Sequence, residues 1–230
     1  MSNRARLAAL TLWLALGTLA TPAESGDDRP ARFADPNLEA VVRKAAGKPT
    51  GELNRSDLAA VSALEVPAAD IVDLTGLEAL VGLVRLNLDR NPVRDLQPIA
   101  QLPALAELSL NDTFVTDTGP IAKCVGLKSL SLEGMEISDL SFLAGLKGLS
   151  RLSLSRTRIV DLGPLAGHTA LKYLALEQNQ ITSIAPLRRN AEAGGLGRGD
   201  EVRLANNPLT SVALHTDIPF LEGKGAVVRR

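Results

Sequence analysis

A chain of 230 residues with 45% apolar and 22% charged side chains can bury a sizeable core, which excludes a disordered tail. Its formal net charge of −1 excludes the basic field that nucleic-acid binders use to displace counterions, so no nucleic-acid partner is expected. A single cysteine, Cys124, excludes an internal disulfide, and stability has to come from packing.

The first segment carries Arg4 and Arg6, then an apolar stretch from Leu7 to Ala20, then the small residues Thr21-Pro22-Ala23 before Glu24. That order predicts a secretory signal peptide over residues 1–23, with cleavage near Ala23. The apolar stretch is short for a membrane span, which needs roughly 20 apolar residues. Contact with a membrane is therefore expected only in transit, and the mature chain, with a net charge of −3 and no tryptophan, is expected to be secreted or periplasmic.

Asp35-Pro36 reads as the N-cap and first position of a helix, followed at helical spacing by Leu38, Val41, Val42 and Ala45. A second short helix is predicted near Ser56. From there the chain repeats itself. Leu83-Leu86-Leu88, Leu105-Leu108-Leu110, Leu127-Leu130-Leu132, Leu149-Leu152-Leu154 and Leu171-Leu174-Leu176 all read L-x-x-L-x-L, each 22 residues after the last. Val61-Leu64-Val66 is a degenerate copy upstream, and Val202-Leu204 arrives after 28 residues. Within each unit an aliphatic residue is followed two positions later by Asp73, Asp95, Asp117, Asp139, Asp161, Ser183 or Ser211, and proline recurs at Pro98, Pro120, Pro164 and Pro186. The alternation of the last two leucines with polar residues predicts a short strand with one buried face. The acid and proline predict a capped turn, and so short a unit has no room for a long helix.

This pattern resembles the bacterial leucine-rich-repeat class of 22-residue units found in internalins and related protein-phosphatase regulatory subunits, over about residues 33 to 228. The resemblance implies an α/β solenoid: a right-handed superhelix with short parallel strands on the concave side, extended or 3₁₀ turns on the convex side, and a cap at each end. Residues 24–60 would form a linker and helical N-terminal cap, 61–192 the repeats, and 193–230 a glycine-rich final repeat and C-terminal cap. Asn207-Pro208-Leu209 and a short helix near Ile218 to Leu221 would close the core.

The asparagine expected after each strand stands at Asn91, Asn179 and Asn207, but Thr113, Met135 and Thr157 replace it in the middle. Threonine can make part of the same hydrogen bonding and methionine none, so distortion is expected at the Met135 repeat. Phe142 replaces a proline, and Phe114 falls at a solvent-facing turn position, where it would either pack locally or edge a contact patch, packing being preferred.

No catalytic constellation emerges. Cys124 occupies a column shared with Leu102 and Leu146, which reads as core, and His168 in the same column is expected to cap or edge that core. His215 lies in the C-terminal cap, and two unrelated histidines have no metal-ligand spacing. Arg198-Gly199-Asp200 matches an adhesion tripeptide in an expected exposed loop, but the resemblance alone supplies the glycines and aspartate. The chain is therefore expected to be neither an enzyme nor a cofactor protein, and a monomer is favoured.

The expected role is binding a protein partner on the concave face. Strand alternation sends outward one column of Arg85, Glu107, Ser129, Arg151, Tyr173 and Glu201. The next is Asn87, Ser109, Ser131, Ser153, Ala175 and Arg203, and a third is Asp89, Asn111, Glu133, Ser155, Glu177 and Ala205. Arg151 and the lone tyrosine, Tyr173, are the expected anchors. The alternatives are attachment to envelope glycan or peptidoglycan, and a structural spacer.

Overall fold

The computed structural model describes residues 30–230; the expected signal peptide and the start of the linker lie outside the described residues. Eight three-residue strands form one parallel sheet in chain order. They are β1 (Ala63–Glu65), β2 (Arg85–Asn87), β3 (Glu107–Ser109), β4 (Ser129–Ser131), β5 (Arg151–Ser153), β6 (Tyr173–Ala175), β7 (Glu201–Arg203) and β8 (Val227–Arg229). The register keeps the repeat: Leu64, Leu86, Leu108, Leu130, Leu152, Leu174 and Val202 are successive partners, every one at 3% exposure or less. Each inward side chain is covered by the coils on either side of it. The architecture is thus an α/β leucine-rich-repeat solenoid, with its sheet on the concave side.

On the convex side the acids act as the sequence predicts. Asp95, Asp117, Asp139 and Asp161 each accept the backbone N–H two residues on, at 2.7–2.8 Å, and so open a short turn. These turns are 3₁₀ at Gln97–Gln101, Ser141–Gly145 and Gly163–Gly167, and a single α turn, α3, at Gly119–Ala122. Phe142 enters its turn half-buried against the core.

The N-terminal cap holds α1 (Pro36–Ala45) and α2 (Arg55–Leu58). Asp35 caps α1 through Asn37 N and Leu38 N with one carboxylate oxygen, while the other accepts from Val72 N and Asp73 N in the first coil. Burial would raise its pKa, but these four N–H donors outweigh it and hold the carboxyl below the usual range. Leu38 and Val42 are buried as expected; Ala45 is exposed, and Ala46 packs on the core instead.

Two elements differ from the sequence expectation. The six extra residues of the last full repeat sit behind an eight-residue helix, α4 (Ala185–Glu192), because Pro186 can start a helix that the longer connection has room to continue. The C-terminal cap passes through a π turn over Ala213–Asp217 into α5 (Ile218–Gly223), then adds β8 to the sheet through Val228 opposite Val202.

The distortion expected at Met135 does not occur. The pairing from β3 through β5 stays in register. Met135 packs into the core at 1% exposure, and the same coils are tied by Asn111 Oδ1, which accepts from Ser131 Oγ and Glu133 N at 2.7 Å each.

After the strands, the backbone turns out of the sheet through a left-handed residue: Ala68, Arg90, Asp112, Gly134, Arg156, Gln178 and Asn206 all have φ between 52° and 72°. Gly134, Asn206 and Asp112 are of the types that tolerate that region; for Ala68, Arg90, Arg156 and Gln178 it costs about 1–2 kcal/mol each. The turn is held because, from Ala68 to Gln178, each of these N–H groups donates to a carbonyl of the next coil at 2.8–3.0 Å.

Candidate functional site

The concave face carries the three expected columns, but they are not equivalent. Arg85, Glu107 and Arg151 are exposed, whereas Tyr173 is half-buried. In the second column Asn87, Ser109, Ser131 and Ser153 are half-buried, and Ala175, which keeps its outward place in register between Ser153 and Arg203, is nevertheless covered. Ser155 in the third column is buried as well.

The reason is a ladder of side-chain hydrogen bonds that runs across the coils. Ser109 Oγ donates to Asp89 at 2.6 Å, Ser131 Oγ donates to Asn111 at 2.7 Å, and Ser153 Oγ donates to Glu133. Ser155 Oγ donates forward to Glu177 at 2.6 Å. Asp89 also accepts from Asn111 N and Nδ2, and Asn87 from Asp89 N. The hydroxyls along the middle of the face are therefore already satisfied within the protein, and a partner that took one would leave an acid or amide to find a replacement.

The ladder ends at β6 and β7 in a charge cluster. Arg203 approaches Glu177 at 2.9 Å and donates to the Tyr173 hydroxyl at 3.1 Å, and Arg229 pairs with Glu201 at 2.6 Å. The Tyr173 hydroxyl and the Glu177 carboxylate hold Arg203 charged, raising its pKa further. Tyr173 is thereby fixed in orientation, with Arg151 opposite it in the register. The expected anchors are neighbours, then, one ordered and the other exposed.

Phe114 is 55% exposed on the flank that leaves the sheet, with the Arg94 guanidinium 5.1 Å from its ring centre. Its solvent-facing position is as the sequence predicts; the preferred packing role reduces to that one contact. The adhesion tripeptide is not free. Arg198 and Gly199 are exposed as expected, but Asp200 is 4% exposed, accepts from Gly197 N at 2.8 Å and lies 3.4 Å from Lys172, so the acid of the tripeptide is not presented to solvent.

Sequence reasoning missed a polar column inside the core. Cys124, His168 and Asn190 occupy one repeat position, and each side chain bonds the carbonyl 25 residues earlier: Ile99, Leu143 and Leu165. His168, expected at the edge, is fully buried. Polar residues recurring in a leucine column were the signal. Burial pushes the Cys124 thiol to about 11, so it stays protonated. Burial also holds His168 below the usual histidine range, against the Leu143 carbonyl, which favours the charged ring. The proton of the neutral ring belongs on Nε2, which faces Leu143 O at 2.9 Å; Nδ1 is buried without a partner. Because the unfolded chain binds this proton more readily, stability is full above the unfolded value of about 6.5 and falls as pH drops below it. His168→Asn, which offers the donor that Asn190 uses one coil on, should flatten that acid slope in urea titrations. An unchanged slope would put the titration elsewhere.

Among the described residues no three His, Cys, Asp or Glu side chains group as metal ligands, and no helix is long and apolar enough to cross a membrane.

No protein-family model matches the sequence, and no curated protein does. Solved structures do. Internalin C2 of Listeria monocytogenes is 24% identical, with a TM-score of 0.65 over 90% of this chain and 99% of that one. Another internalin of the same organism is 23% identical, with a TM-score of 0.63 over 80% and 67%. A leucine-rich-repeat protein of Leptospira interrogans is 24% identical, with a TM-score of 0.59 over 70% of this chain and 40% of that one. The fold is therefore a bacterial leucine-rich-repeat solenoid. In particular it is internalin-like.

Proposed function

We propose that this chain is an exported, non-catalytic binding module that docks a protein partner on its concave sheet. One observation carries the reading: Arg151, exposed, and Tyr173, fixed through its hydroxyl by Arg203, lie side by side on adjacent strands. Arginine and tyrosine are the side chains that most often concentrate interface energy, and an ordered tyrosine loses little conformational entropy on binding. Beside them the satisfied hydroxyl ladder offers a flat polar surface that can exclude water around an anchor without competing for it. Arg85 and Glu107, exposed at the far end of the column, would select a partner by charge.

Internalin likeness at the level of fold suits a surface-acting binder and leaves the partner open. Glycan attachment is less well supported, since it calls for exposed aromatic platforms and the concave columns hold one half-buried tyrosine.

A photo-crosslinker at Ser129, beside Arg151, should capture the partner in intact cells. Tyr173→Ala combined with Arg151→Ala should then weaken binding by at least about 2 kcal/mol, roughly 30-fold, with circular dichroism and melting unchanged. Undiminished affinity would move the site off the concave face.

A further inference from the structure

We propose a second docking surface on the flank where the chain climbs from each convex turn back to the sheet, one that takes a protein segment combining an aliphatic side chain with carboxylates. Val81, Pro103 and Val125 occupy the same repeat position in three successive coils, and all are exposed, the two valines at 44% and 69%. Val84, 37% exposed, lies beside them. Neighbouring coils are about 4.8 Å apart at the sheet, so the three side chains form one apolar strip. The core does not require it, because the same position in the next two coils is Lys147 and Thr169, both exposed. A shallow cavity of about 280 Å³ opens on the strip, lined by Pro103, Lys123, Val125 and Gly126 among others.

The border of the strip is basic. Lys123, Lys128 and Lys147 are exposed, and none forms an ion pair among the described residues. Lys172, two coils along the column of Lys128, is by contrast paired with Asp200. The ammonium of Lys128 lies along the flank over Gly148, where an added Cβ would stand 2.6 Å from Nζ. That glycine does not have a left-handed backbone, so its effect is to keep the floor low under the lysine.

Aliphatic surface edged by uncompensated cations is complementary to a segment with the opposite charge and an apolar anchor. An anionic bilayer offers the same chemistry, but the strip has no tryptophan or phenylalanine to insert, and two valines and a proline reach too little of the acyl region to hold. A second copy could bring its convex aspartates, two of which, Asp73 and Asp161, follow an exposed valine, Val72 or Val160, but such a heterologous contact would propagate into a filament.

The test pans a phage-displayed random peptide library on the purified protein and measures enriched peptides by fluorescence anisotropy. Enriched sequences should carry an aliphatic residue flanked by aspartate or glutamate. Val125→Ser with Lys147→Glu, both on the surface, should weaken them at least about tenfold with an unchanged melting temperature. Tyr173→Ala with Arg151→Ala should leave them untouched, which separates this flank from the concave reading. The proposal falls if enriched peptides lack that composition or ignore the flank substitutions. It also falls if vesicles of phosphatidylglycerol and phosphatidylethanolamine bind through this flank in place of peptides, or if sedimentation shows self-association that the flank substitutions abolish.

Discussion

Leu130→Ala is expected to destabilise the protein by about 2–5 kcal/mol, a fall in melting temperature on the order of 5–15 °C for a chain of this size. Leu130 is 1% exposed, and its register partners, Leu108 and Leu152, are equally enclosed. In a solenoid each coil can bury its leucines only against the next, so a cavity in the middle weakens two interfaces together. Neither flanking strand can collapse into the gap, because both are tied by backbone hydrogen bonds to coils on their far sides. Thermal melting followed by circular dichroism reads the effect. An unchanged midpoint would mean that the column is not the source of stability, while Ser129→Ala, on the other face of the same strand, should move it little.

The leucine column explains why so much of the fold is legible in the sequence. A three-residue strand has one inward side chain, and leucine there recurs at a constant interval, so pairing and register follow from spacing alone. β8 escaped because it belongs to no repeat: Val227–Arg229 reaches the sheet only after α5 reverses the chain. The left-handed turns escaped for a different reason. Ala68, Arg90, Arg156 and Gln178 have no intrinsic liking for positive φ, and their conformation is imposed by hydrogen bonds to the following coil. The concave columns were legible as columns, since alternation assigns the face. Their internal bonding was not, because which serine reaches which carboxylate depends on side-chain length and on the coil it leans toward. His168 was misplaced at an edge because it was read without Asn190, the further polar member of its column, whose side chain bonds the equivalent carbonyl one coil on.

The asparagine after each strand tests the same distinction between what a residue packs and what it bonds. Asn179 is 7% exposed and spans two coils. Its Nδ2 donates to Leu154 O at 2.8 Å and to Leu176 O at 3.1 Å, while its Oδ1 accepts from Ile159 N at 3.0 Å and from the Thr157 hydroxyl at 2.6 Å. Thr113, at the corresponding position two coils before Thr157, donates only to Leu110 O of its own coil, at 2.8 Å. Asn179→Ala therefore strands the buried Ile159 N–H of the neighbouring coil, while the Leu154 carbonyl keeps the Thr157 hydroxyl at 2.8 Å, and should cost up to about 3 kcal/mol, against about 1 kcal/mol for Thr113→Ala. Urea unfolding of the two variants gives the comparison. Equal losses would mean that the asparagine acts as a small core filler. A larger loss at Asn179 would show that this turn position bonds between coils at Asn91, Asn179 and Asn207, whereas at Thr113 and Met135 the coils are tied by the concave ladder through Asn111 and by their leucines.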